Sequence, residues 1–168
     1  KTYPQTLTWP PQWILKPFDA SSYIKVLTLR NFSRYLWNTS VYAVVGALGA
    51  VFLSSMAGFA FAKYVFPGRD IIFSLILATL MIPGQVTLIP VFLILKNLGW
   101  LNTFKGLIVP GLGSAFGIFL IRQFAMGIPT ELIEAARIDG CSEFRIYWQI
   151  FIPLCAPAIS TLLVLDFL

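Results

Sequence analysis

Residues 35–62 read YLWNTSVYAVVGALGAVFLSSMAGFAFA, an uninterrupted stretch without a charged side chain between Arg34 and Lys63. An α-helix rises 1.5 Å per residue, and about 20 mostly apolar residues cross the hydrocarbon of a bilayer, so the stretch predicts a membrane span. Outward from it, charged residues bound three more uncharged intervals, 71–95, 106–121 and 146–165. All can span. The third is the shortest, its 16 residues giving roughly 24 Å of helix, so Lys105 and Arg122 are expected to snorkel toward the two interfaces.

Composition excludes a soluble globular domain: 58% of the 168 residues are hydrophobic and only 11% are charged, against about a quarter charged in soluble proteins. The expected fold class is all-α, a polytopic transmembrane helical bundle. In a soluble chain the net charge of +5 would suggest nucleic acid, but here the basic residues flank spans. Anionic membrane lipid is the simpler partner, and no nucleic acid is expected. The chain has no His, and Cys141 and Cys155 follow no metal-ligand spacing. With no paired carboxylates inside a span either, no catalytic residue, metal or bound cofactor is expected, and the chain is not read as an enzyme.

Residues 1–34 carry Pro4, Pro10, Pro11 and Pro17 among aromatics, which predicts an extended segment on one membrane surface, with Trp9, Trp13 and Trp37 at the interface. The opening Lys1-Thr2-Tyr3-Pro4 lacks a signal-peptide pattern and reads as the interior of a longer chain. Residues 35–168 form the transmembrane part. In its first span Gly46, Gly49, Ala50, Ser54, Ser55, Ala57 and Gly58 recur at short helical spacings, so a second helix is expected to approach closely. Pro67-Gly68 then predicts a tight hairpin into the second span.

That second span is interrupted by Pro83-Gly84 and Pro90, with Gln85 between them, which predicts a kink or unwinding near Gln85. Freed backbone groups survive in a membrane only against protein or a water-filled cavity, so Gln85 is a translocation-path candidate; a packing kink is the other reading. Gly113 and Gly117 make a G-x-x-x-G pair in span three, expected to pack against a helix. Asp166 is ionisable within an apolar stretch, which marks a second path candidate or a pairing role.

A polar insert, residues 125–145, separates spans three and four. Pro129-Thr130 can start a helix, Glu131 and Glu134 favour its positive end, and Gly140 suits a left-handed stop after Asp139. Leu132, Ala135 and Ala136 at i, i+3, i+4 are expected to form a smooth apolar patch beside Glu134 that fits a groove. Ser142 then caps a helix whose Phe144, Tyr147, Trp148 and Phe151 form a stripe suited to the membrane surface, and Pro153 and Pro157 break the path into span four. Basic residues lie on both sides of the expected spans, so charge bias alone leaves the orientation open.

Glu134-Ala135-Ala136, then Asp139-Gly140, then Ile152-Pro153-Leu154 resemble the cytoplasmic E-A-A loop of the permease subunits of bacterial binding-protein-dependent ABC importers. Phe66-Pro67-Gly68-Arg69, Leu80-Met81-Ile82-Pro83, Gln85-Val86-Thr87-Leu88-Ile89-Pro90 and the run from Phe116 to Phe124 are similar to the carbohydrate, maltose-type branch. The resemblance covers most of residues 22–168. It implies a MetI-like permease fold, incomplete here at both ends, in the bacterial inner membrane with the insert in the cytoplasm and residues 1–34 outside.

It further implies a cytoplasmic ABC ATPase dimer, a second permease subunit, identical or different, and an extracytoplasmic solute-binding protein as partners. ATP and Mg would belong to the ATPase; this chain has no nucleotide-binding G-x-x-x-x-G-K-[ST]. Glu131, Leu132, Glu134, Ala135, Ala136, Asp139 and Gly140 would make the coupling contact. The expected function is import of a sugar or sugar derivative by alternating access. Permeases for amino acids, peptides or ions share the E-A-A loop, and a channel or structural bundle would need no such loop.

Overall fold

A computed structural model describes residues 21–28 and 31–167. Its contacts divide the chain into two units, residues 1–40 and 41–168. The first holds α1 (Ser21–Thr28) and the opening turns of α2 (Phe32–Lys63), both strongly exposed. Where an extended segment was expected, residues 21–28 are helical; the expectation for residues 1–20, with Trp9 and Trp13, lies outside the described residues.

In the second unit, α2 is followed by α3 (Arg69–Thr79), α4 (Gly84–Asn97), α5 (Phe104–Ile108), α6 (Ala115–Met126), α7 (Thr130–Ile138), α8 (Glu143–Leu154) and α9 (Ala156–Phe167). No strand occurs among the described residues. Phe32–Lys63 and Phe104–Met126 are long and apolar enough to cross a membrane. The other two expected spans are broken pairs, α3 with α4 bent by 98° and α8 with α9 bent by 79°.

The breaks follow local chemistry. At the end of α3 the bonds tighten, Leu80, Met81 and Ile82 donating to the carbonyls of Leu77, Ala78 and Thr79, and Pro83 then serves as the N-cap of α4. The interruption therefore precedes Gln85, which sits in the first turn of α4, while Pro90 is accommodated inside the helix. In span three a short 3-10 turn, Val109–Leu112, ends at Gly113, and the Ser114 hydroxyl accepts from the Gly117 amide to start α6. Gly113 thus marks a break rather than half of a packing pair. Gly117 is buried, and a β-carbon there would lie 2.5 Å from the Ser54 hydroxyl of α2.

α6 packs on α9 and α3. α2 meets it at Gly58, where a β-carbon would come within 2.6 Å of the Ile121 side chain, and Ile121 is fully buried. α8 contains a π-helical turn, Tyr147–Phe151. Its Ile146, Tyr147 and Phe151 point into the core, Phe151 packing tilted against Phe59 with ring centroids 4.5 Å apart, whereas Phe144 and Trp148 remain exposed. Half of the expected surface stripe is therefore core. The Tyr147 hydroxyl donates to Ser55 Oγ at 2.6 Å, since Ser55 gives its own proton to the Phe52 carbonyl. Pairing leaves neither hydroxyl unsatisfied in this apolar setting.

Candidate functional site

The insert folds as the sequence predicts in outline. α7 starts after Pro129, whose missing amide would be unpaired at a helix start in any case, and places Glu131 in its first turn and Arg137 in its last. Its C-terminus closes as a Schellman motif: Cys141 N–H donates to the Ala136 carbonyl at 2.9 Å, and Gly140 N–H to the Arg137 carbonyl at 3.0 Å. Gly140 has φ +78°, the left-handed region that a β-carbon disfavours. Asp139 is the C-cap.

Which face points outward differs from expectation at one residue. Ala136 is 6% exposed and Ile133 1% exposed, both in the core cluster with Phe59 and Ile121. Ala136 therefore anchors α7 from below instead of belonging to the presented patch. Glu131, Leu132, Glu134, Ala135, Asp139 and Gly140 are exposed, as is Ile138 at 87%. Among the described residues the Glu134 and Asp139 carboxylates have no hydrogen-bond or ion-pair partner, so the outer face has these acidic groups free.

A polar cluster that sequence reasoning missed fixes this helix. Arg137 donates to Glu143 through Nε at 2.7 Å and Nη2 at 3.3 Å, a bidentate pair across the Gly140 turn. The Tyr64 hydroxyl, just beyond α2, donates to the same carboxylate, and the Arg137 guanidinium lies over the Tyr64 ring at 5.4 Å. Tyr64 itself sits edge-on to Phe59 at 5.4 Å, and its carbonyl accepts from Arg69 at 3.4 Å. Partial burial and then the bond to Glu143 push the Tyr64 phenol above its ordinary range, so it remains a donor at neutral pH. On the other flank, Lys63 Nζ donates to the Ile128 carbonyl, just before α7. The six-residue spacing of Arg137 and Glu143 across a glycine stop was a usable sequence signal; nothing local points to Lys63 or Tyr64.

The two path candidates are not brought to α7. Gln85 is exposed beside the 98° break, on a helix that buries no residue. Asp166 lines a cavity of about 240 Å³ with Tyr42, Gly46 and Ala50 of α2 and with Leu107 and Gly111. Arg122, expected to reach an interface, instead stacks on Phe73 at 4.0 Å, donates to the Phe61 carbonyl at 3.4 Å and approaches Asp70 at 3.9 Å.

The stop at Gly140 gives a first prediction. A β-branched side chain in the left-handed region costs upward of about 1–2 kcal/mol, whereas Asn visits that region more readily. Gly140→Val should raise amide hydrogen exchange through residues 135–141 with the transmembrane helices unaffected, and Gly140→Asn should stay near the parent. Equal exchange in all three proteins would remove the turn's conformational role.

The family model described as binding-protein-dependent transport system inner membrane component matches residues 50–168. The arabinooligosaccharides transport system permease protein AraQ of Halalkalibacterium halodurans is 38% identical over 135 residues, covering 80% of this chain and 47% of that protein. The sn-glycerol-3-phosphate transport system permease protein UgpE of Brucella abortus is 40% identical over 138 residues, covering 82% and 49%. The crystal structure of a bacterial ABC transporter involved in the import of the acidic polysaccharide alginate superposes with a TM-score of 0.81 at 31% identity, covering 89% of this chain and 53% of that one. The chain spans about half the length of the curated relatives it matches. On these matches, and on its apolar helices with a polar helical insert between them, the chain belongs to the binding-protein-dependent transport system inner membrane components.

Proposed function

We propose that the chain is part of a permease subunit of an ATP-binding cassette importer for a sugar or sugar derivative, with α7 as the element that docks on a cytoplasmic ATPase. The observation that carries this reading is the outer face of α7: exposed carboxylates without partners beside Leu132, Ala135 and Ile138, on a helix held from beneath by Ile133 and Ala136. The relatives named for arabinooligosaccharides and sn-glycerol-3-phosphate, and the alginate importer, support a carbohydrate-like solute.

In this reading ATP and Mg bind to the ATPase dimer, a second permease completes the pathway, and an extracytoplasmic binding protein delivers the solute. Closure of the ATPases draws the docked helices together and turns the permease pair from inward-facing to outward-facing. Gln85, beside the broken span, and Asp166, on the cavity wall, face the solute path. Asp166 offers a carboxylate that can accept hydrogen bonds from sugar hydroxyls.

The test combines topology and partner. A thiol reagent that cannot cross membranes should label Tyr23→Cys in intact cells and leave Glu131→Cys unlabelled, and the complete transporter should co-purify with an ATPase. Labelling at Glu131→Cys without labelling at Tyr23→Cys inverts the orientation and rejects the importer reading. An intact complex lacking any ATPase points to a channel or structural bundle.

A further inference from the structure

We propose that Lys63 and Tyr64, consecutive at the foot of α2, are positioning residues that clamp α7 at both flanks and route its displacement into α2. The proposal rests on the docking reading of α7 and adds the path by which force leaves it. Lys63 holds the Ile128 carbonyl ahead of the helix, and Tyr64 holds Glu143, which grips Arg137 of its last turn.

The geometry distinguishes α2 from the other neighbours of α7. The apolar contacts beneath Ile133 and Ala136 hold the helix down but are non-directional, so they do not by themselves fix the path of a pull. Toward α6 the connection is the backbone turn at Pro129, and toward α8 it is the Gly140 turn with the single Arg137–Glu143 pair, which Tyr64 itself holds. Only the clamp supplies directional bonds at two separated points, and two points fix rotation as well as position. α2 is also the element that reaches the Asp166 cavity: Tyr42, Gly46 and Ala50 line that cavity on the same continuous helix that ends at Lys63. From Tyr42 to Lys63 the rod extends roughly 30 Å. A tilt imposed on α7 is therefore delivered to the cavity wall by one rigid element.

Tyr64→Phe removes the hydroxyl alone and keeps the ring against Phe59, so it separates clamping from packing. In the complete transporter, solute taken up per ATP hydrolysed should fall about tenfold or more, the effect of one hydrogen bond to a charged group, with the bundle still folded. Spin labels on Leu53→Cys and Ile138→Cys in a Cys141→Ser background should give a broader distance distribution in Tyr64→Phe than in the parent. The exchange Arg137→Glu with Glu143→Arg should restore uptake per ATP relative to either single change, because the Tyr64 hydroxyl can accept from Arg as readily as it donates to Glu.

An unchanged ratio of uptake to hydrolysis in Tyr64→Phe overturns the proposal, as does an unchanged distance distribution. Failure of the unaltered complex to hold an ATPase would reject the docking reading instead, and the label distances would still decide whether the clamp exists.

Discussion

With α7 docked on an ATPase as proposed, Glu134→Lys is expected to weaken that contact by about thirtyfold or more while leaving membrane insertion intact. The Glu134 carboxylate is exposed and has no partner among the described residues, so reversing its charge breaks no hydrogen bond or ion pair of the fold. Against a docked partner the same carboxylate would be desolvated and would take a charge-assisted hydrogen bond from Arg or Lys. Truncating one member of a desolvated pair costs about 2–5 kcal/mol, and each 1.4 kcal/mol is a factor of ten. Reversal also sets two like charges face to face. Co-purification and solute uptake for Glu134→Lys and Glu134→Gln measure the effect, with Gln expected to lie between Lys and the parent. Full uptake by the Lys variant would exclude Glu134 from the contact.

Gly58→Val is expected to act on the bundle and not on the partner. A β-carbon there lies 2.6 and 2.8 Å from two atoms of Ile121 and 3.1 Å from the Arg122 backbone nitrogen. Ile121 is fully buried and cannot swing away, and a backbone atom cannot yield without moving α6. Overpacking of this kind costs about 1–3 kcal/mol, before counting the loss of contact as α2 and α6 part. Gly46→Ala is the matched control, because nothing lies within 4 Å of a β-carbon at Gly46. Thermal unfolding in detergent should show Gly58→Val well below the parent and Gly46→Ala level with it. Equal melting of all three would mean that α2 and α6 do not meet at Gly58.

Much of the architecture is legible in the sequence because membrane spans are set by one-dimensional quantities, the length of an apolar run and the charges that bound it. The expected runs at 35–62 and 106–121 appear as helical stretches of spanning length, and the prolines at 83 and 153 announce breaks. Direction is what the sequence withholds. A proline says that a helix is interrupted but not that the pieces turn by 98° or 79°.

The same distinction explains the candidate site. The limits of α7 follow from Pro129 and Gly140, both local signals. Its faces do not: Leu132 with Ala135 and Ile133 with Ala136 are equally apolar at equivalent spacings, and only the position of the bundle selects the second pair for burial. Tyr64 and Glu143 stand 79 residues apart, so their bond has no periodic trace. The insert is written locally, and its attachment is written in tertiary contacts.

The π-helical turn at Tyr147–Phe151 bears on chain length. In a regular α-helix, residues five apart diverge by about 140° around the axis, yet Ile146 and Phe151, five apart, are both fully buried. The wider turn takes up one surplus residue, so the helix before it and the helix after it run on different phases of the same 3.6-residue clock. Deleting a single residue within the turn would relax it to an ordinary helix without rotating its neighbours out of the core. Such a deletion anywhere else in α8 would turn every later side chain by about 100°. Within α8, this turn is where the chain carries slack.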